Sequence, residues 1–296
     1  MTDLRDARPR DLWLRRAKVA GLAARRFGRW LLEDGFAAPE RVAPSGPIAH
    51  EVRTPIARSG AHPRLEAGKR QNVQLAATAF HGVVIAPERP FSFWRALGPA
   101  TEARGFTWGM EVRAGCAIPA IGGGLCLLSN SLFALAVELG WQILERHGHS
   151  MALSDPRALD ATVAYPYVDL RIAPRAGTAV LGVAVRGDVL VVTAHGGGER
   201  LSVELTREQR EDSASRETRI RRRVWGRRRP AGTSLDARPE EPARVLLEET
   251  MVVDDRQRLP GPTLRTCLDC GETACHARVE IPEPAPPARR AAGGLR

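Results

Sequence analysis

No stretch of the 296 residues approaches the roughly 18 uncharged apolar positions that a membrane-spanning helix requires, which argues against a helical span. Lysine is nearly missing: of 44 basic residues only Lys18 and Lys69 are lysines, and the other 42 are arginine. A GC-rich coding sequence gives the same bias. The formal net charge of +10 therefore attracts anions in general, without the arginines being a sign of bidentate phosphate recognition. Cysteine is scarce and odd in number, at positions 116, 126, 267, 270 and 275. The opening residues, MTDLRDARPRDLWLRR, lack an apolar h-region followed by a small-residue cleavage site. An odd count without a secretory signal argues against a disulfide framework, and the expectation is a cytoplasmic chain with reduced thiols. No internal repeat is evident.

What is present divides the chain into segments. Residues 1–36 contain a basic amphipathic helix. Projection of residues 11–33 puts Leu12, Trp13, Val19, Ala20, Ala23, Phe27, Trp30 and Leu31 on one side, with Arg15, Lys18, Arg25, Arg26 and Arg29 beside it. Two readings fit: peripheral contact with an anionic membrane, or docking on the protein's own core with the arginines solvated. Residues 37–61 read as a Pro-rich linker. A core begins at His62, with KRQNVQLAATAF helical through Val73, Ala76, Ala77 and Phe80 and stopped by Gly82. VVI and FSFW read as short strands, and LLSNSLFALAVEL as a buried helix ending before Gly140. WQILER, ATVAYPYVDLRI, AVLGVAV, VLVVTA and LSVEL read as strands, the third and fourth forming a hairpin about Arg186-Gly187-Asp188, where the RGD tripeptide is turn chemistry. The core with this β extension spans 62–205, a basic segment with one strand 206–260, a cysteine-rich module 261–279, and a low-complexity tail expected to be disordered 280–296. The predicted fold is α+β, helices on a mostly antiparallel sheet with a small cysteine-rich C-terminal module.

The most unusual local sequence is Gly122-Gly123-Gly124-Leu125-Cys126-Leu127-Leu128-Ser129-Asn130, directly ahead of the buried helix. Glycines permit positive φ and close approach of another group, and a cysteine at a helix start meets a dipole that favours thiolate. A small buried residue beneath a glycine turn is the alternative. Partners for a nucleophile follow in Glu145-Arg146-His147-Gly148-His149-Ser150, then Asp160 and Asp169, an order also found in cysteine endopeptidase sites. Arg146 and Glu145 fit either a structural pair or an anion-binding group.

Residues 62–172 resemble the VanW family, associated with B-type vancomycin resistance and the cell envelope. The resemblance is carried by His62 with Arg64, Asn72 followed by VQLAATAFHGVVIAPERPFSFWRALGPATEARGF, then GGGLCLLSN, ERHGHS and DATVAYPYVDL. It implies His149, rather than His147, as the equivalent histidine. Two positions depart from the family pattern: Leu127 stands where Gln is usual, removing a donor that could serve an oxyanion, and His81 stands where Asn is usual.

Beyond the resemblance lies Cys267-x2-Cys270-x4-Cys275-His276. Soft thiolates at this spacing suit zinc or an iron–sulfur cluster, and a redox or unliganded thiol cluster is the alternative. His276 adjoins Cys275, so ligation by both is awkward, and Cys116 or another chain could complete a set. The basic run Arg216–Arg229 holds only one aromatic, Trp225, which is poor support for specific nucleic-acid recognition. Two functional expectations result. One is a Cys126–His149 hydrolase or acyl transferase on a peptidoglycan precursor or fragment, with Asp160 or Asp169 orienting the base and Gly122, Gly123, Gly124, Arg146 and Asp169 in binding roles. The other is a non-enzymatic accessory protein with a C-terminal metal clip.

Overall fold

The computed structural model describes residues 9–34, 38–57, 62–113, 116–148, 159–198, 201–212, 217–227 and 244–254. Helix α1 (Pro9–Asp34) comes first, followed by strand β1 (Ile48–Pro55) and helix α2 (Pro63–Phe80). Short strands β2 (Val84–Ile85) and β3 (Phe91–Ser92) lead into helix α3 (Phe93–Leu97). The hairpin β4 (Trp108–Arg113) and β5 (Cys116–Ile121) precedes helix α4 (Cys126–Glu138). Strands β6 (Gln142–Glu145), β7 (Arg171–Ala173), β8 (Ala179–Arg186) and β9 (Val189–Gly196) complete the core. Three longer strands follow, β10 (Ser202–Asp212), β11 (Glu217–Arg227) and β12 (Arg244–Asp254).

All named strand pairs are antiparallel. They form a four-stranded sheet in the order β1-β9-β8-β2, a three-stranded sheet β3-β7-β6, the β4-β5 hairpin and a second three-stranded sheet β10-β11-β12. Helix α4 contacts β1 and β9 on one side and β6 and β7 on the other, so it lies between two sheets. Its sequence fits that position: Leu128, Leu132, Phe133 and Leu135 are fully buried, and a helix that is apolar all round must be covered all round. Each such side chain contributes on the order of 1.5–3 kcal/mol of burial. The α+β expectation holds among the described residues.

Helix α2 starts six residues before the KRQNVQLAATAF segment in which it was expected. His62 caps it, its Nδ1 accepting the Arg64 N–H at 3.3 Å, with Pro63 in the first turn where no amide is needed. Val73, Ala76, Ala77 and Phe80 all face the core. The helix ends at His81, and its Nδ1 accepts the Val183 N–H at 3.2 Å, so the histidine at the family's asparagine position makes a backbone contact to β8. The Arg186-Gly187-Asp188 tripeptide is the β8–β9 turn; Arg70 of α2 ion-pairs with Asp188 and donates to the Gly187 carbonyl at 2.6 Å.

Three expectations need correction. The 37–61 linker contains β1, an edge strand whose register on β9 runs from Ile48 opposite His195 to Pro55 opposite Val189; neighbouring prolines concealed it, and Pro55 is tolerated at the strand end. FSFW is not one strand. Ser92 ends β3 and caps α3 by accepting the Arg95 N–H at 3.3 Å, so Phe93 and Trp94 are helical. The basic segment holds more strand than the one expected at 244–254, now β12: the LSVEL strand runs on to Asp212 as β10, and β11 pairs with both, Glu248 opposite Arg223 ion-pairing with Arg221 and Arg223. The cysteine-rich module 261–279 and the tail 280–296 lie outside the described residues.

The close contacts among α2, the β4–β5 hairpin and the glycine turn centre on Asn72, which is fully buried. Its Nδ2 donates to the Thr107 and Gly123 carbonyls, both at 2.9 Å, and its Oδ1 accepts the Thr107 N–H at 2.9 Å. An Asn72→Ala variant should lose roughly 3 kcal/mol of stability, because buried backbone groups on two segments lose their partner. Urea unfolding measures this, and a loss under about 1 kcal/mol would show that the amide is dispensable.

Candidate functional site

The glycine turn does allow close approach, and the approaching group is the protein itself. Gly122 and Gly124 have φ of 77° and 99°, values that suit glycine. A Cβ on Gly123 would sit 2.3 Å from the Gly109 carbonyl carbon, and one on Gly124 would sit 2.4 Å from Cγ of Lys69. A Cβ on Gly122 would sit 2.8 Å from that of Ala100. Gly123 and Gly124 are thus accounted for by the docking of α4's entry on β4 and α2, and Gly122 by its contact with the segment that follows α3.

Cys126 opens α4 and is half-buried. The anion-favouring feature expected there is weaker than the sequence suggested: the Leu127 and Leu128 amides donate to the Gly124 and Leu125 carbonyls, each at 3.0 Å, leaving the helix dipole as the main influence. The thiol Sγ lies 3.7 Å from Oγ1 of Thr162. That neighbour is held in place by the rest of the glycine motif. Asn130 Oδ1 accepts the Ala161 N–H at 2.7 Å, and the Ser129 hydroxyl donates to the Ala161 carbonyl, so the first turn of α4 grips both backbone groups of the residue before Thr162.

Thr162 in turn bridges to the end of β6. Its N–H donates to the His147 carbonyl at 2.8 Å in an antiparallel bridge. Next to it, Arg146 is buried over the Phe133 ring, 5.1 Å from its centroid, donating through Nε to the Asp160 carbonyl at 2.6 Å and through Nη2 to Asp160 Oδ1 at 2.9 Å. Of the two readings of Arg146, the structural pair is the one seen, with Asp160 rather than Glu145 as its partner.

Glu145 instead faces α1. Arg26 donates Nη1 to it at 2.7 Å, with a second bond from Nη2, and Arg29 approaches at 3.6 Å. Burial works to raise the Glu145 carboxyl, but the Arg26 guanidinium and His147 outweigh it and hold the group below its usual range. His147 is exposed, its Nε2 lying 3.2 Å from Glu145 Oε1. The helix docks as one reading of its sequence expected, but Arg26 is buried in the interface instead of solvated.

Asp169 lies apart from Asp160 in this arrangement. It is fully buried, accepting from Ser92 Oγ at 2.6 Å, the Trp94 N–H at 3.1 Å and the Leu170 N–H at 2.9 Å. Desolvation raises its carboxyl to about 6 against those hydrogen bonds and against Arg26, whose guanidinium is 3.9 Å away. Both aspartates therefore have structural partners. His149 lies outside the described residues, as do Cys267, Cys270, Cys275 and His276, and the Cys116 side chain is likewise not described. Among the described residues no group of three or more His, Cys, Asp or Glu side chains could hold a metal ion. Sequence reasoning missed Thr162 and Arg26; a hydroxyl two residues after Asp160 carries no signal of its own, and Arg26 is one of several arginines on α1.

The class defined here is an α+β domain that presents a cysteine at the start of a buried helix, behind a glycine turn and against the Thr162 hydroxyl of a neighbouring segment. Residues 68–194 match the family described as VanW like protein, and this part of the chain is a VanW-like domain. The chain is 32% identical over 107 residues to vancomycin B-type resistance protein VanW of Enterococcus faecalis (strain ATCC 700802 / V583), a match covering 34% of this chain and 39% of that protein. It is 29% identical over 129 residues to the uncharacterized protein YoaR of Bacillus subtilis (strain 168), covering 43% of each. The matches thus span about two fifths of the length of these curated relatives. No solved structure matches the chain.

Asp169 gives a signed pH dependence. Its folded value, about 6, exceeds the unfolded value of 3.8, so the folded state holds the extra proton between them. The stabilising contribution is complete below pH 3.8 and is lost as pH rises through 6. Asp169→Asn keeps the hydrogen-bonding shape but removes this titration. Wild-type stability should therefore fall relative to the variant by on the order of 2–3 kcal/mol between pH 4 and 7. Parallel urea titrations across that range measure it, and parallel curves would exclude a raised carboxyl.

Proposed function

We propose that the VanW-like domain is a cysteine-dependent hydrolase or acyl transferase acting on a peptidoglycan-related amide. The observation that carries this reading is the position of Cys126: half-exposed, at a helix start, 3.7 Å from Thr162 Oγ1, with the Thr162 N–H bonded to the carbonyl of His147, two residues before His149 in the sequence. In this proposal His149 takes the Cys126 proton, and the thiolate attacks the amide carbonyl carbon. The C–N bond then breaks as the leaving amine receives that proton, and water or an acceptor amine releases the acyl group from sulfur. Thr162 acts as a positioning residue that donates its hydroxyl to the thiolate. Asp160, paired with Arg146, holds the chain end that carries Thr162.

Similarity to a vancomycin B-type resistance protein supports a cell-envelope substrate. For a cytoplasmic chain that substrate is a peptidoglycan precursor or a recovered fragment. A second reading is favoured by Leu127 at the family's glutamine position and by the internally bonded first-turn amides, which leave few donors for an oxyanion. Under it the domain is a non-enzymatic accessory or binding protein, with Cys267, Cys270, Cys275 and His276 as ligands for zinc or an iron–sulfur cluster.

Labelling with iodoacetamide, followed by peptide mass spectrometry, separates the two. An activated Cys126 should react with an apparent pKa below the ordinary thiol value of about 8.5, and His149→Ala should slow the reaction by roughly tenfold or more near neutral pH. Equal labelling rates in wild type and His149→Ala would overturn the dyad and favour the accessory reading.

A further inference from the structure

Helix α1 has two apolar faces, and the core covers only one. Val19, Ala23, Arg26 and Trp30 share one narrow arc turned toward the protein; Trp30 and Arg26 are buried, Trp30 within the main core cluster and Arg26 against Glu145. On the far side lie Leu31, 55% exposed, and Leu32, 87% exposed. Between them in projection fall Ala24, Gly21 and Gly28, and a Cβ added to either glycine would meet nothing within 4 Å. Phe27 and Leu22, each 38% exposed, flank this face. A leucine as exposed as Leu32 next to another at Leu31 is a poor surface for water alone.

Charge identifies the occupant. From Leu12 to Leu32 the sequence holds six basic residues and no acidic one. Lys18, Arg25 and Arg29 line one edge of the outer face, beside Leu32, and the first two are exposed. Pairing with a second copy of this helix would bring like charges together along that edge. An anionic lipid surface meets both features at once: headgroups face the basic edge, and the small residues let the helix axis settle low while Leu31 and Leu32 enter the acyl boundary. Arg26 and Trp30 stay in the core throughout, so docking needs no rearrangement of the domain.

We propose that the outward face of α1 binds the surface of an anionic bilayer, lying in the interface with the rest of the chain still attached to its inner face. The test is cosedimentation of the full chain with phosphatidylcholine vesicles containing about one third phosphatidylglycerol, compared with phosphatidylcholine alone. Wild type should bind the anionic vesicles and not the neutral ones. Leu31→Ser/Leu32→Ser leaves net charge unchanged and should weaken partitioning by roughly tenfold, and Arg25→Ser by about fivefold. Both leucines are exposed, so the melting temperature should not move; Leu32→Ser alone serves if the double variant unfolds. Failure of wild type to bind, or equal binding by the leucine variants, would overturn the proposal, the latter showing a general effect of the +10 charge. A dimer seen by sedimentation equilibrium without lipid and lost in the leucine variant would also overturn it, assigning the face to a second copy.

Discussion

The buried amide of Asn72 is the interaction on which the arrangement around Cys126 depends. One side chain ties the middle of α2 to the segment entering the β4–β5 hairpin and to the turn leaving it, two pieces that the hairpin ladder and the Gly122 N–H to Thr107 carbonyl bond already hold together. The bond to Gly123 is fully buried and those to Thr107 partly so, and loss of the amide would leave the buried carbonyl without this donor. Around them the side chains are pared away. Gly68 lies against the Trp108 carbonyl and Gly109 against Gly123, so backbone packs directly on backbone where any Cβ would intrude. The start of α4 is thereby positioned by covalent and hydrogen-bonded geometry, with no long side chain whose rotamers could blur it.

A second layer of order comes from charge. Arg26 and Arg146 both leave the solvent, and each is matched by a carboxylate and a backbone carbonyl, Glu145 with Tyr167 in one case and Asp160 in the other. A buried ion pair of this kind adds little net stability over an apolar substitute, but it penalises misplacement heavily, because a displaced partner leaves a charge in a low-dielectric setting. The two arginines therefore specify where α1 and the end of β6 lie. Asp169, buried between Arg26 and α3, is held by neutral donors that tie the start of α3 to the segment leading into β7.

Much of this was legible in the residues. The periodicity of Val73, Ala76, Ala77 and Phe80 and the repeat of Leu128, Leu132, Leu135 and Leu139 identify their helices because each pattern arises from one dominant force, burial. The glycine turn and the RGD hairpin are local chemistry and were readable for that reason, whereas the first turns of α2, from the His62 cap to Gly68, were not read as helix. What escaped depends on distant partners. Strand β1 carries charges and a proline, and only its pairing with β9 makes it a strand. β11 is arginine-rich, and its regularity comes from the strands on either side. Thr162 acquires meaning from Ser129 and Asn130, more than thirty positions earlier, which sequence order does not connect. Arg26 could be told from its neighbours only by knowing which face of α1 meets Glu145.

The Arg146–Asp160 pair and the His147–Thr162 bridge have a further consequence for how the neighbour of Cys126 is placed. They join the chain on either side of residues 149–158, so these two flanks are held by contacts lying wholly outside that stretch. Chain entropy opposes bringing the flanks together by an amount that grows only with the logarithm of their separation, about 0.6 kcal/mol for each doubling. With Ser129 and Asn130 gripping Ala161 from the other direction, Thr162 is clamped beside Cys126 from both sides.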